Sequence, residues 1–247
     1  TELGFTKIAL AAGFGSIRRI NEVVRALYKR PPRDLRRKRR VVDRDVVAVK
    51  IRYRPPYDWS AMLAHLRGRA IEGVEVVSED SYERTIRYDG KVGSVRVAHA
   101  PSAHSLVATI RFPDVRALRP IVERLRHLFD VADDVTTIGA HLARDPMLAP
   151  LIEARPGLRA PGSFDGFELA VRAVLGQQIT LEAARQLAGK LVRECGTPLG
   201  GGRFAFPSPE AVSRAKLDSL GMPRARTDTL RAAAQAAGDD AGIFRSL

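Results

Sequence analysis

The chain has one cysteine, Cys195, in 247 residues. A single thiol excludes an intrachain disulfide and a multi-cysteine zinc site, and we interpret it as a packing residue on an apolar helical face. The five histidines show no ligand spacing with cysteine or with clustered acids, so no metal and no cofactor are expected. No apolar run approaches the roughly 20 residues that span a bilayer, and the first residues carry no signal-peptide pattern. We therefore expect a cytoplasmic protein that does not bind membranes.

Positive charge is abundant and unevenly placed. The formal net charge is +13, with 41 Lys and Arg against 28 Asp and Glu. Residues 1–40 hold 12 of the basic residues against three acids, whereas the remainder is nearly balanced. This asymmetry predicts a polyanionic partner. Nucleic acid is favoured over a membrane surface, because no basic amphipathic helix with a bulky apolar face accompanies the charge.

Two consecutive helices are predicted in the second half of the chain, since apolar residues recur there at helical spacing. Asp165 and Glu168 form a capping box for the first helix, and Thr180 is the expected N-cap of the second. Gly196 suits the position after the second helix, where a glycine commonly ends a helix in a left-handed conformation.

Between these helices, Gly176 permits a tight turn that leaves Gln177 and Gln178 projecting from a rigid corner. On the pattern alone, two interpretations stay open: a capped helical hairpin that only packs the core, and a polar corner that contacts a ligand.

The basic N-terminal part predicts a short helix to Ala12, a turn over 13–15 and a second helix over 16–28. Ile20 and Val24 mark an inward face, and the arginines lie opposite. The pattern fits a helix-turn-helix whose second helix enters the major groove, and equally an ordinary helical hairpin with a solvated basic face.

A mixed segment lies between these parts. Asp58 is the expected cap of a helix, and Asp89-Gly90 marks a hairpin turn. A further helix should start with Pro120 as its first residue and end near Phe129. Strands are predicted over Tyr82–Tyr88, Lys91–Ala98 and Ser105–Phe112.

Several of these stretches resemble known families. RPGLRAPGSFDGFELAVRAVLGQQIT, residues 155–180, resembles the AlkA (DNA-3-methyladenine glycosylase II) family. YRPPYDWSAMLAHLRGRAIEGVE and FPSPEAVSRAKLDSLGMPRARTDTLRAAA resemble the opening of that family's first domain and the helices before its catalytic motif. IALAAGFGSIRRINEVVRALYKRPPRDLRR is similar to the last helix-turn-helix of AraC/XylS-type regulators.

The resemblance implies a multi-domain α+β protein like the Ada–AlkA fusions of some bacteria. The expected order is a partial AraC-type helix-turn-helix (1–38), a basic linker (39–47), an AlkA N-terminal-like α+β domain with a small antiparallel, TBP-like sheet (48–135), and a truncated all-α helix-hairpin-helix glycosylase domain (136–247). Methyl transfer by Cys195 is not expected, because the cysteine-bearing parts of Ada are missing.

The same resemblance implies that the protein would excise alkylated bases from double-stranded DNA, and that it would be a nucleoid-associated bacterial monomer. Gln178 would fill the gap left by a flipped base, and His65 would help to wall the base pocket, although a partly exposed helical histidine is its plain interpretation. DNA contacts would come from Ser16, Ile17, Arg18, Arg19, Asn21, Gln177, Gln178 and Thr180.

No catalytic residue is assigned. The family continues into a Pro-Gly-x-Gly hairpin and a catalytic aspartate, and neither stands in this sequence, so the chain by itself is expected to be inactive. Asp239 and Asp240 precede any such hairpin and are not candidates. The alternative function is a non-catalytic DNA-binding transcription regulator or damage-recognition module.

Overall fold

The computed structural model describes residues 5–28, 46–240 and 242–244. The α-helices are α1 (Phe5–Ala11), α2 (Ile17–Tyr28), α3 (Trp59–Arg69), α4 (Leu118–Leu128), α5 (Val135–Leu142), α6 (Ala149–Ala154), α7 (Gly166–Leu175), α8 (Leu181–Cys195), α9 (Pro209–Arg214) and α10 (Arg224–Asp239). The strands are β1 (Val46–Arg52), β2 (Glu75–Val77), β3 (Ser81–Tyr88), β4 (Lys91–Ala100), β5 (Ser105–Arg111), β6 (Thr197–Gly200) and β7 (Arg203–Ala205).

Five strands form an antiparallel sheet in the order β1-β5-β4-β3-β2. The three predicted strands are confirmed within two residues at each end, and β1 and β2 were not predicted. Asp89 and Gly90 both have positive φ, 49° and 69°, as a two-residue hairpin turn requires. Residues 46 and 47, assigned from the sequence to the end of the linker, begin β1, and the linker residues before them lie outside the described part of the chain.

One face of the sheet is covered by α3 and α4 and contains the first hydrophobic core. Asp58 caps α3 as predicted, because its side chain accepts a hydrogen bond from the Ala61 N–H. The prediction of Pro120 as the first residue of α4 is wrong: the helix begins at Leu118, directly after a short 3-10 helix over Val115–Ala117. Proline is still tolerated there, because the first-turn N–H groups have no partner within the helix.

The second hydrophobic core lies among α7, α8, α9 and α10, and Ile71 and Val74 from the connection after α3 are fully buried in it. The polypeptide that ends α3 therefore contributes to both cores. Leu181 recurs at helical spacing with the apolar residues of α8, but it is 48% exposed because it stands at the first turn, outside this core.

The predicted left-handed conformation of Gly196 is also wrong. Gly196 is extended, with φ −70° and ψ 157°, and leads directly from α8 into the hairpin of β6 and β7. A Cβ atom at this position would stand 2.4 Å from the Val192 carbonyl oxygen and 3.0 Å from that of Ala205. Glycine is needed here for close approach of the backbone and not for a positive φ.

At the N-terminal end, α1 and α2 agree with the two helices expected from the sequence. Ile20, on the inward face predicted for α2, is buried. Contacts join α1 to the 3-10 helix before α4, so this helical pair rests on the sheet domain. No helix within the described ranges is both long and apolar enough to cross a membrane.

Candidate nucleic-acid interface

The corner between α7 and α8 is a short exposed turn. Gly176 ends α7, and Thr180 caps α8 by accepting a hydrogen bond from the Ala183 N–H at 3.2 Å. Gln177 and Gln178 between them are exposed. The residue with left-handed backbone is Gln178, with φ 56°, whereas Gly176 has ordinary helical angles, so the turn depends on a strained glutamine and not on the glycine.

Arginines tie this corner to its surroundings. Arg226 of α10 donates to the Gln177 carbonyl oxygen at 2.6 Å. Two further arginines bind the C-terminal end of α3: Arg172 of α7 donates to the Arg69 carbonyl oxygen at 2.8 Å, and Arg185 of α8 donates to that of Ala70 at 3.1 Å. Because the last carbonyls of a helix lack partners within the helix, they are good acceptors for cationic groups. Both α7 and α8 are therefore anchored to the C-terminal end of α3.

A buried ion network lies behind the corner and was missed from the sequence. Glu168 of α7 accepts from the Arg84 guanidinium of β3 at 2.5 Å and from Arg172 at 2.6 Å. Arg172 also binds Glu75 of β2 at 2.6 Å, and the Tyr82 hydroxyl donates to Glu75 at 2.7 Å. Two carboxylates and two guanidiniums thus neutralise each other across the boundary between the two cores.

This network corrects the predicted capping box. The Asp165 carboxylate accepts from the Glu168 N–H at 3.0 Å as expected, but the Glu168 side chain turns inward to Arg84 and Arg172. Burial raises the pKa of the Glu168 carboxyl, but the charges of Arg84 and Arg172 outweigh burial and hold the pKa below its ordinary value. A sequence signal did exist, because Arg84 stands at an inward position of β3 between the core residues Tyr82 and Ile86.

His65 lies on α3, one turn before the carbonyls that hold the corner, and is partly buried. Burial lowers the pKa of its imidazole, and the charge of Arg69 lowers it further. The ring is therefore neutral at neutral pH.

The residues predicted to contact DNA near the N-terminus are mostly accessible. Ile17 is 45% exposed, and the Arg18 side chain, 90% exposed, pairs with Glu22 at 3.1 Å. Ser16 and Arg19 are also exposed, while Asn21 is partly buried. The N-terminal residues pack through α1 onto the sheet domain, whereas the corner is held by α3 and α10. The N-terminal residues and the corner residues that were predicted to contact DNA therefore belong to different parts of the fold.

Cys195 is a packing residue by geometry. Its Sγ lies 3.4 Å from the Leu191 carbonyl oxygen, and burial raises the pKa of the thiol to about 11. A thiol that is protonated at neutral pH is a poor nucleophile.

Residues 48–165 match the AlkA N-terminal domain family. The chain is 33% identical over 242 residues to a Mycobacterium tuberculosis protein named "Probable bifunctional transcriptional activator/DNA repair enzyme AlkA", and that alignment covers 94% of this chain and 48% of the relative. It is 32% identical over 192 residues to the Escherichia coli protein named "DNA-3-methyladenine glycosylase 2", covering 76% of this chain and 66% of the relative. The chain thus spans about half the length of the first relative and just under two thirds of the second.

Solved structures show the same fold. The 3-methyladenine DNA glycosylase from Archaeoglobus fulgidus superposes with a TM-score of 0.66 at 22% identity, over 76% of this chain and 66% of that one. MBOgg1 in complex with a low-affinity DNA ligand gives a TM-score of 0.55 at 19% identity, over 83% and 67% of the two chains. The mixed architecture of a small antiparallel sheet and many helices is therefore a DNA glycosylase fold. The chain thus contains an AlkA N-terminal domain and is similar to AlkA proteins over most of its length.

Proposed function

We propose that this chain recognises alkylated bases in double-stranded DNA and holds the damaged nucleotide outside the helix, as part of a base-excision repair protein. The observation that carries the proposal is the exposed pair Gln177 and Gln178, presented at a corner that three arginines fix to the rest of the fold. The AlkA homology supports the same conclusion.

A flipped nucleotide leaves a hole in the base stack, and unstacking costs a few kcal/mol. A side chain that fills the hole recovers part of this cost, provided that little entropy is lost in placing it. Gln178 meets this condition, because its backbone is already fixed in the left-handed region. Its amide also offers a donor and an acceptor to the base that has lost its partner.

We propose that His65 forms part of the wall of the base pocket. An alkylated purine carries positive charge, and an aromatic wall attracts such a base through its π face. A protonated imidazole would repel it. The lowered pKa keeps His65 neutral, so the ring is suited to stack on a cationic base. The hydrolytic step itself is not assigned to any residue of the described ranges.

Gln178→Ala tests the corner, because alanine keeps an L residue at the same φ and removes only the side chain. A fluorescent base analogue placed beside the lesion reports extrusion, and a separate titration reports affinity. Extrusion should fall at least fivefold while affinity changes less than twofold. The control is Gln235→Ala on α10, which removes another exposed glutamine. Equal loss of extrusion and affinity, or equal effects of the two variants, would refute the wedge role of Gln178.

A second function is supported by the N-terminal helices. The exposed Arg18 and Arg19 at the start of α2, together with the activator name of the M. tuberculosis relative, favour an AraC-type segment that contacts operator DNA. Each phosphate contact contributes about 0.9 to the slope of log affinity against log salt concentration. Arg18→Gln with Arg19→Gln, or removal of residues 1–40, should therefore flatten this slope. An unchanged slope in both variants would exclude the segment as a DNA anchor.

A further inference from the structure

The C-terminal end of α3 connects the proposed pocket wall to the helix that follows the corner. His65 stands one turn before Arg69, the last residue of α3. Arg185 stands one turn after Leu181, the first residue of α8. One turn of an α-helix rises about 5.4 Å. A side chain that joins these two helix ends therefore acts within about two turns of both His65 and the corner.

Arg185 joins the two helix ends with two donors of one guanidinium. Its Nε donates to the Ala70 carbonyl oxygen at 3.1 Å, and its Nη1 donates to the Glu182 carboxylate at 2.8 Å. Ala70 ends α3, and Glu182 belongs to the first turn of α8. Because the donors of a guanidinium point in fixed directions within one plane, the two acceptors together set its orientation. The Gln186 amide also donates to Glu182 at 3.3 Å, which holds the carboxylate in place.

Stability of the fold does not explain this connection. The Arg185 side chain is 36% exposed, and an ion pair at this exposure contributes little to folding. Arg172, which binds the neighbouring carbonyl of α3, differs because it also binds two buried carboxylates. The corner does not need Arg185 for its own shape either, since Thr180 and Arg226 hold it. The effect left for Arg185 is to fix the separation of the corner from α3.

We infer that Arg185 is a positioning residue for the recognition of damaged bases: it sets the separation of Gln178 and His65, so that a base displaced at the corner meets the pocket wall. This role rests on the proposed function, because Arg185 acts through the two groups that the proposed function assigns. Groups that act together on one ligand need placement to within about 0.5 Å. Two side chains on different helices reach that precision only when the helices are fixed to each other.

The test uses the full chain and two duplexes that differ at one base. One duplex carries N7-methylguanine, a cationic purine, where the other carries guanine, and a fluorescent base analogue beside that position reports extrusion. The ratio of the two extrusion constants is the discrimination ratio. Arg185→Met keeps the apolar stem of the side chain and removes its donors. The discrimination ratio should fall about threefold, as expected for loss of a cation–π contact, while extrusion of guanine changes less than about twofold.

Arg193→Met is the matched control. Arg193 lies on the same helix and pairs with Glu72, in the connection after α3, at 3.1 Å, but it stands two turns farther from the corner. Its loss should leave the discrimination ratio unchanged. An equal fall in the ratio for both variants, or a Tm more than about 4 °C lower for Arg185→Met than for Arg193→Met, would assign Arg185 to general stability and overturn the inference.

The conservative variant Arg185→Lys tests the hydrogen bond itself. Lysine keeps a donor for the Ala70 carbonyl oxygen but cannot hold two acceptors in one plane. The discrimination ratio should therefore lie between those of the natural chain and Arg185→Met. A ratio no higher than that of Arg185→Met would contradict the role of this hydrogen bond.

A double-mutant cycle tests whether Arg185 acts through His65. His65→Ala should lower the discrimination ratio by about threefold or more, and Arg185→Met added to it should lower the ratio by less than about 1.5-fold further. If the losses of the two single variants multiply instead, the two residues act independently and the positioning role is wrong.

The proposed function and the positioning role fail in different ways. If His65→Ala leaves the discrimination ratio unchanged, the proposed pocket wall is wrong, and the positioning role with it. If His65→Ala lowers the ratio and Arg185→Met does not, only the positioning role is wrong. Gln178→Ala should lower extrusion in both duplexes alike and leave the ratio unchanged, which separates loss of the corner side chain from loss of its position.

Discussion

Removing one carboxylate from the buried ion network should destabilise the protein strongly. Glu168→Gln leaves the Arg84 guanidinium, whose side chain is 3% exposed, without its partner at 2.5 Å. Breaking a buried pair by removing one member costs about 3–5 kcal/mol, because the remaining charge stays buried and uncompensated. For a chain of this size, 1 kcal/mol shifts Tm by about 2–4 °C, so the expected drop is about 10 °C.

Two further variants test whether the loss of stability arises from an uncompensated buried charge. Glu182→Gln on α8 removes a carboxylate that is 63% exposed and pairs with Arg185 at 2.8 Å. An exposed pair of this kind contributes about 0–1 kcal/mol, so this Tm should fall by no more than about 4 °C. Arg84→Met with Glu168→Leu removes both members of the buried pair and leaves Glu75 with Arg172. This double variant should be more stable than Glu168→Gln.

Thermal unfolding followed by circular dichroism provides the measurement. If Glu168→Gln loses no more stability than Glu182→Gln, the network does not act as a buried charge cluster and the reasoning fails. If the double variant is the least stable of the three, charge compensation is not the reason for the loss.

The same carboxylate gives a pH dependence with a defined sign. The pKa of Glu168 is lowered in the folded protein relative to about 4.3 in an unfolded chain. A lowered pKa contributes stability that is present above the unfolded value and is lost as the pH falls through the folded value. The stability gap between the natural chain and Glu168→Gln should therefore be full at pH 7 and shrink below about pH 4. A gap that widens in acid would contradict the assignment.

Further predictions concern single positions. Gly196→Ala should lower Tm by several degrees, because its Cβ would meet a carbonyl oxygen at 2.4 Å. Gly68→Ala, in the last turn of α3 where no atom lies within 4 Å of the added Cβ, should raise stability by about 0.5 kcal/mol in the same assay. Gln178→Val should destabilise by about 1–2 kcal/mol and Gln178→Gly should not, since φ is 56°; urea unfolding would disprove this if the order were reversed. Alkylation of Cys195 by iodoacetamide at pH 8 should be on the order of 100-fold slower in the folded than in the unfolded chain, and equal rates would refute its protonated, partly buried state.

Local signals in the sequence were reliable where the physics is local. Asp58, Asp165 and Thr180 are N-caps as predicted, because capping depends on one side chain and the three residues that follow it. The Asp89-Gly90 turn is equally local. The exposed position of Gln177 and Gln178 also followed, since a polar pair directly after a capped apolar helix has no core to enter.

Predictions failed where a residue far away in the sequence determines the local conformation. The Glu168 side chain was assigned to a local capping box, but Arg84, 84 residues earlier in the chain, provides a stronger partner. Gly196 was expected to be left-handed, but the approach of the Ala205 backbone made it extended. The three-residue strand β2 is defined by its pairing with β3, and so its own residues gave little signal. The strand β1 was missed although its sequence, VVAVKIR, is rich in β-branched residues.

The roles of the predicted DNA contacts, Gln177, Gln178, Thr180, His65 and the start of α2, stay predictions. Their positions are now defined, and each is accessible enough for the tests above, apart from Asn21 and His65, which are partly buried.

The sequence by itself determined the capped helices, the hairpin turn, the excess of positive charge and the similarity to AlkA proteins, because each depends on neighbouring residues or on motifs in a fixed order. Only the tertiary structure decided which charges are buried together, that Gln178 and not Gly176 takes the left-handed conformation, and that Arg185 joins the end of α3 to the first turn of α8. Those features depend on the pairing of segments far apart in the chain, and a linear pattern does not specify that pairing.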